Sequence, residues 1–177
     1  MMISVMTLGM TGIHKPIASP ILYLDYDGVL HPGEVYRIRG RIVLRCDGMN
    51  LFEWAPLLAE HLEPYPDLRI ILSTSWVRVL SFNEARAWLP DSLRSRVIGA
   101  TWHSAMNKYW WINLSRYQQI SLHAKRHRIA RWLAIDDDAQ DWPDDSRGQL
   151  VHTDPMLGIA TPAMRARLLR KLENLSK

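Results

Sequence analysis

The sequence predicts an α/β protein, a parallel β-sheet with helices on both faces. Three observations point there. The short continuous apolar run "ILYL" (21–24) has the composition of a strand buried on both sides, and "LRIIL" (68–72) and "RWLAI" (131–135) are further strand candidates. Segments with apolar residues at helical spacing separate them, and strands alternating with helices imply a parallel sheet. The chain of 177 residues, 47% hydrophobic and 23% charged, is long enough to bury one full core and short for two.

Residues 1–20, "MMISVMTLGMTGIHKPIASP", are apolar but lack a basic start and a long apolar centre, so they do not read as a signal peptide. They are expected to form a poorly ordered leader before a single domain over 21–177. After the first strand, "VYRIRGRIVL" (35–44) reads as two short strands around a Gly-containing turn, a hairpin. "NLFEWAPLLAEHLE" (50–63) opens with Asn50 and carries Glu53 three residues on, a capping-box pattern, although Pro56 would suit a start a few residues later. The strand at 68–72 runs into "STSW". A helix is expected over 82–89, stopped by Pro90, then a strand over 96–101 and a helix over 115–128. The strand at 131–135 runs into "DDD", and 149–153 is a further strand. Thr161 and Pro162 supply an N-cap and an N1 proline for an amphipathic helix near the C-terminus.

Composition narrows the function. The single Cys46 excludes an intramolecular disulfide framework and a thiolate zinc site, and suits a reducing, cytoplasmic compartment. No run approaches 18 apolar residues, so no membrane helix is expected. Eight Trp against two Phe supply core filling and stacking surface. The net charge is +4, with basic runs at 123–131 and 165–171; such runs form solvated helix faces or bind nucleic acid, and charge alone does not decide between these.

In open α/β sheets, ligands bind beyond the carboxyl ends of the strands. Here the first strand ends in Asp25-Tyr26-Asp27, the second apolar run in Ser73-Thr74-Ser75, and a later one in Asp136-Asp137-Asp138. Taken singly, each has an ordinary reading: a turn after a strand, a hydroxyl cap, a solvated loop. A calcium loop fails because its ligand spacing does not continue through "VLHPGEV". Taken together, the acids crowd one edge, and a hard cation such as Mg²⁺ relieves their repulsion. Asp25 is then a competent oxygen nucleophile towards phosphorus, and Asp27 can act as general acid and base. Hydroxyls on the neighbouring strand can hold a phosphoryl oxygen. The order of motifs excludes a response-regulator receiver, in which the acidic pair comes before the lone phosphoacceptor. Gly28 alone does not make a phosphate-binding glycine loop. His61, His103, His123, His127 and His152 show no metal-ligand spacing.

The ordered set "LDYDGVLHP", "ILSTSW", "WLAIDDD" and "TDPMLGI" resembles the haloacid dehalogenase-like superfamily of phosphohydrolases over roughly residues 20–160. Within it, the set looks most like the compact domains associated with RNA-repair proteins. The resemblance implies a Rossmann-like sheet that is capless or carries a minimal cap, a small hairpin flap. It implies Asp25 as the nucleophile that becomes an aspartyl-phosphate and Asp27 as the acid/base. Thr74 would be the phosphate-holding hydroxyl, with Ser73, Ser75 and Gly28 as further phosphate contacts. Mg²⁺ would be held by Asp25, Asp27, Asp136 and Asp137, with Asp141 as a supporting acid. The family's basic residue falls best on Arg116, with Lys125 and Lys108 as alternatives; an Arg there offers a fork rather than a point charge. The function implied is a Mg²⁺-dependent phosphohydrolase. The stretches 30–70 and 76–115 leave little room for a folded lid, which favours a bulky phosphorylated substrate such as a nucleic-acid end, with no membrane partner. The other reading is a phosphate- or nucleic-acid-binding module that turns over little.

Overall fold

The structure is a computed structural model and describes residues 18–177; the expected leader falls almost entirely outside them. The strands are β1 (Ile21–Leu24), β2 (Val35–Ile38), β3 (Arg41–Leu44), β4 (Arg69–Leu72), β5 (Val97–Ala100), β6 (Trp132–Asp136) and β7 (Leu150–His152). The helices are α1 (Ala55–Leu62), α2 (Trp76–Val79), α3 (Phe82–Ala87), α4 (Asp91–Arg94), α5 (Lys108–Ile112), α6 (Arg116–Arg126) and α7 (Pro162–Ser176). Five strands form one all-parallel sheet in the order β5-β4-β1-β6-β7, and β2 and β3 form a separate antiparallel hairpin.

β1 lies at the centre, and its period of two explains the unbroken apolar run. Leu22 and Leu24 enter one core with Leu58 and Leu62 of α1 and Leu168 and Leu172 of α7. Ile21 and Tyr23 enter the other with Ile120 and Ala124 of α6. All four β1 side chains are fully buried, so every position must be apolar or, for Tyr23, hydrogen-bonded: its hydroxyl lies 3.0 Å from His123 Nδ1. Helices thus cover both faces, as the sequence implies.

The start of α1 follows Pro56 rather than Asn50. Glu53 does accept the Asn50 N–H at 2.8 Å, half of a capping box, yet α1 begins only at Ala55. Phe52, at φ 59°, turns the chain between them, and its ring is held against Tyr26, His31 and Trp76 with centroids 4.9–5.2 Å apart. Pro56 then sits in the first helical turn, where its missing N–H is harmless. The complete capping box belongs to α6, between Ser115 and Gln118.

Among the described residues, the insertion after β1 amounts to the β2–β3 hairpin. It is largely exposed, and Arg37 Nη1 ties it to the Val79 carbonyl at 3.3 Å. The carboxyl ends of the five parallel strands share one edge, and the candidate site lies there.

Candidate active site

β1 and β6 are neighbours in register, with Leu24 beside Ile135. The acids that follow them are therefore forced together. Carboxylate oxygens of Asp25, Asp136 and Asp137 all lie within 4.8 Å of one another. Asp25 is 4% exposed and Asp136 fully buried. The loop after β1 reaches this trio because residue 28 is glycine. Gly28 has φ +68°, and a Cβ built on it would fall 2.4 Å from Asp137 Oδ2. The Thr153 hydroxyl donates to the Gly28 carbonyl at 2.8 Å, and the Asp138 N–H donates to Asp136 Oδ1 at 3.1 Å, so both loops are tied to the sheet. Gly28→Ala should therefore cost about 1–3 kcal/mol of stability through its backbone alone. It should also push Asp137 away from its partners. Denaturant unfolding with and without Mg²⁺ checks both effects, and a fully stable variant with normal metal response would show that the loop has room.

Arg116 is the counter-charge. The α6 capping box seats it at the start of that helix, where Nη2 lies 3.3 Å from Asp25 Oδ2 and Nε 3.0 Å from Asp136 Oδ2. The second approach is an ion pair without hydrogen-bond alignment, since neither atom has a hydrogen-bond partner. Burial works against the guanidinium charge, but Asp25 and Asp136 outweigh it and hold the pKa above its ordinary value. Burial raises Asp136 well above the usual carboxylate range, with Arg116 opposing. Asp137 is pushed up to about 6, first by burial and then by the charge of Asp25.

Asp27 stands outside the trio, in an aromatic pocket. The Trp76 indole N–H donates to its Oδ1 at 2.8 Å, and His31 Nε2 lies 3.9 Å from the same oxygen. Burial, and then the charge of Asp25, push the Asp27 carboxyl up to about 7. His31 is itself fully buried, which lowers its pKa, and it packs against Phe52 and Trp76. Neither His31 nor Trp76 is among the residues expected from the sequence. Both stand inside the motif strings "DGVLHP" and "STSW".

The remaining expected residues fall into two groups. Thr74 and Ser75 line a cavity of about 200 Å³ together with Arg78, Trp102, Trp111 and Arg116. The Thr74 Oγ1 also accepts the Trp76 N–H at 3.4 Å. Ser73, by contrast, is fully buried with its hydroxyl closed off. Lys125 is exposed nine residues along α6 from Arg116, about 13 Å by helical rise. Lys108 lines a different cavity, at the start of α5. Asp141 is exposed at φ 58° and is not one of the three clustered acids.

Three hard carboxylate oxygens this close, two of them buried, suit a hard divalent cation. The space left by Gly28 beside Asp137 fits the same purpose.

A parallel sheet whose central strand ends in DxDG, with hydroxyls on one neighbouring strand and acids on the other, defines a haloacid dehalogenase-like domain. Residues 21–164 match the family described as the HAD domain in Swiss Army Knife RNA repair proteins, and the chain belongs to that family. No curated protein and no solved structure matched the chain. At the superfamily level, this membership supports a hydrolase or phosphatase type of role. Among the described residues, no helix is long and apolar enough to cross a membrane.

Proposed function

We propose that the protein is a Mg²⁺-dependent phosphohydrolase acting on a phosphorylated nucleic-acid end. The observation that carries this reading is the position of Asp25, in the acidic trio, 3.3 Å from Arg116, and two residues before a separately held Asp27. An Asp25 carboxylate oxygen attacks phosphorus, and the bond from phosphorus to the leaving oxygen breaks. Asp27, protonated, gives its proton to that oxygen. The aspartyl-phosphate on Asp25 is then attacked by water, whose proton Asp27 takes back, and phosphate leaves with Asp25 restored. Arg116 and the Thr74 hydroxyl hold phosphoryl oxygens throughout. Asp25, Asp136 and Asp137, with the Asp27 carbonyl, would hold Mg²⁺, which supplies charge neutralisation at the phosphoryl group. Asp141 has no part in this scheme.

The insertion after β1 is small among the described residues, a two-stranded hairpin, which supports a bulky substrate that covers the site itself. The family's association with RNA repair supports a nucleic-acid end as that substrate. A binding module would need no second acid at Asp27, which disfavours it. The test is phosphate release from p-nitrophenyl phosphate and from 3′- and 5′-phosphorylated RNA, each with Mg²⁺ or EDTA. Failure of every substrate to release phosphate in a metal-dependent way would leave only the binding module.

The acids also predict a metal effect on stability. Asp27, Asp136 and Asp137 have folded-state pKa values above their unfolded ones. Below about pH 4 each is protonated in both states and nothing is lost. As pH rises, the unfolded chain ionises first, so the metal-free protein loses stability from about pH 4 up through about 7. Because Mg²⁺ favours the ionised forms, it should raise Tm more at about pH 8 than at about pH 5. Equal shifts at both pH values would place the metal elsewhere.

A further inference from the structure

Two wall residues of the cavity at Thr74 and Arg116, Thr101 and Trp111, also wall a second cavity of about 420 Å³, a volume typical of small-molecule sites. A row of three indoles spans the pair. Trp102 and Trp111 have ring centroids 6.0 Å apart, and Trp111 and Trp110 6.2 Å. Trp102 lines the inner cavity, Trp110 the outer one, and Trp111 both.

The outer indole is placed but not used by the fold. Asn107 caps α5 by accepting the Trp110 N–H at 3.0 Å, which sets the backbone there. Trp110 nevertheless stays 53% exposed and belongs to neither buried core. Tyr109, Ile112 and Leu122 nearby are exposed as well. Trp110 and Leu122 both line the outer cavity, so exposed apolar surface from α5 and α6 faces it.

Charge says what the contact is. Residues 92–135 contain eight Lys or Arg and not one Asp or Glu. Arg94 pairs with Asp91, and Arg96 and Arg131 are held by backbone carbonyls away from the cavity, which leaves Lys108, Arg116, Lys125, Arg126 and Arg128 on or beside α5 and α6. No carboxylate lines the outer cavity, and Arg126 does. A free phosphate would not need the indoles, and an apolar ligand would not need the charge. A flat ring on a repeating anion needs both.

We propose that the outer cavity is a subsite for the unpaired base next to the phosphorylated end of a single-stranded nucleic acid. That base stacks on Trp110, and Arg126 faces the phosphodiester beyond it. The strand is single because a base must leave its stack to enter a cavity. The assignment rests on the phosphohydrolase reading for its placement of the terminal phosphate at Arg116 and Thr74.

The test compares a short oligoadenylate phosphorylated at its 3′ or 5′ end with p-nitrophenyl phosphate. Trp110→Ala should lower kcat/KM for the oligonucleotide relative to the aryl phosphate by roughly 5- to 100-fold, the loss of one base stack. Trp110→Phe should restore most of it. An oligonucleotide abasic at its phosphorylated terminal nucleotide should lose a similar factor with the wild-type protein and lose little more with Trp110→Ala. An unchanged ratio, or an abasic substrate as good as the intact one, overturns the subsite. If the wild-type protein hydrolyses neither substrate, the phosphohydrolase reading fails by itself. Fluorescence anisotropy of the same oligonucleotide labelled at its far end then decides: weaker binding by Trp110→Ala supports the subsite, and equal binding overturns it.

Discussion

Asp25→Asn will abolish phosphate release, by a factor on the order of 10⁴ or more, while the protein stays folded. The substitution keeps the shape of the side chain and an oxygen at Oδ1, which accepts the Tyr26 N–H at 2.8 Å. What it removes is the charged oxygen that faces Arg116 at 3.3 Å and would attack phosphorus. It also removes one negative charge from a crowded group, so Tm should move by no more than about 5 °C. Turnover on an aryl phosphate, with circular dichroism as the control for folding, checks this. Near-normal turnover would mean that another residue, or water directly, attacks phosphorus.

Asp27→Asn should lower turnover by roughly 10²–10⁴-fold, and by an amount that depends on the leaving group. Burial and the nearby Asp25 lift the Asp27 carboxyl to about 7, so near neutral pH it is part acid and part base, as both half-reactions require. An amide can neither protonate an alkoxide nor deprotonate water. A nitrophenolate leaves without help, so with that substrate the variant should still form the phosphoenzyme and then stall. With a nucleotide ester, whose leaving oxygen is far more basic, formation should be slow as well. Trp76→Phe removes the indole N–H that holds Asp27 at 2.8 Å, and should show a weaker form of the same pattern. Equal slowing of phosphoenzyme formation on both substrates would show that Asp27 serves the metal or the fold instead.

The fold and the acid trio were legible because burial on both faces writes itself into the chain. β1 is an unbroken apolar run, β4 is apolar after Arg69 and β6 up to Asp136, and each ends at one edge of the sheet, so the residues after them had to meet. The carboxyl edge of a parallel sheet brings Asp136 and Asp137 to the same side as Asp25, and the pairing of β6 with β1, seen in the structure, makes them neighbours. Elements of four or five residues, such as α2, α4 and α5, are too short for periodicity to reveal. α1 starts at Ala55, where Pro56 suits it, while Phe52 is held outside the helix by an aromatic cluster drawn from three separate segments, which no local pattern encodes. The same cluster explains why the setting of Asp27 was not foreseen. Trp76 and His31 act on it through tertiary packing, 49 and 4 residues away in sequence. Lys125 and Arg116 share a charge and a helix, and only helical rise and the capping box separate the distant one from the one at the site.

If Asp25 carries the phosphoryl group, the phosphoenzyme can be trapped. Asp27→Asn protein mixed with p-nitrophenyl phosphate and Mg²⁺ is quenched in acid, digested, and read by mass spectrometry. The account predicts one added phosphoryl group on the peptide containing Asp25, released by hydroxylamine as an acyl phosphate is, and absent when EDTA replaces Mg²⁺. Turnover of the wild-type protein with no phosphoryl group on that peptide, or with the group on another residue, would contradict it.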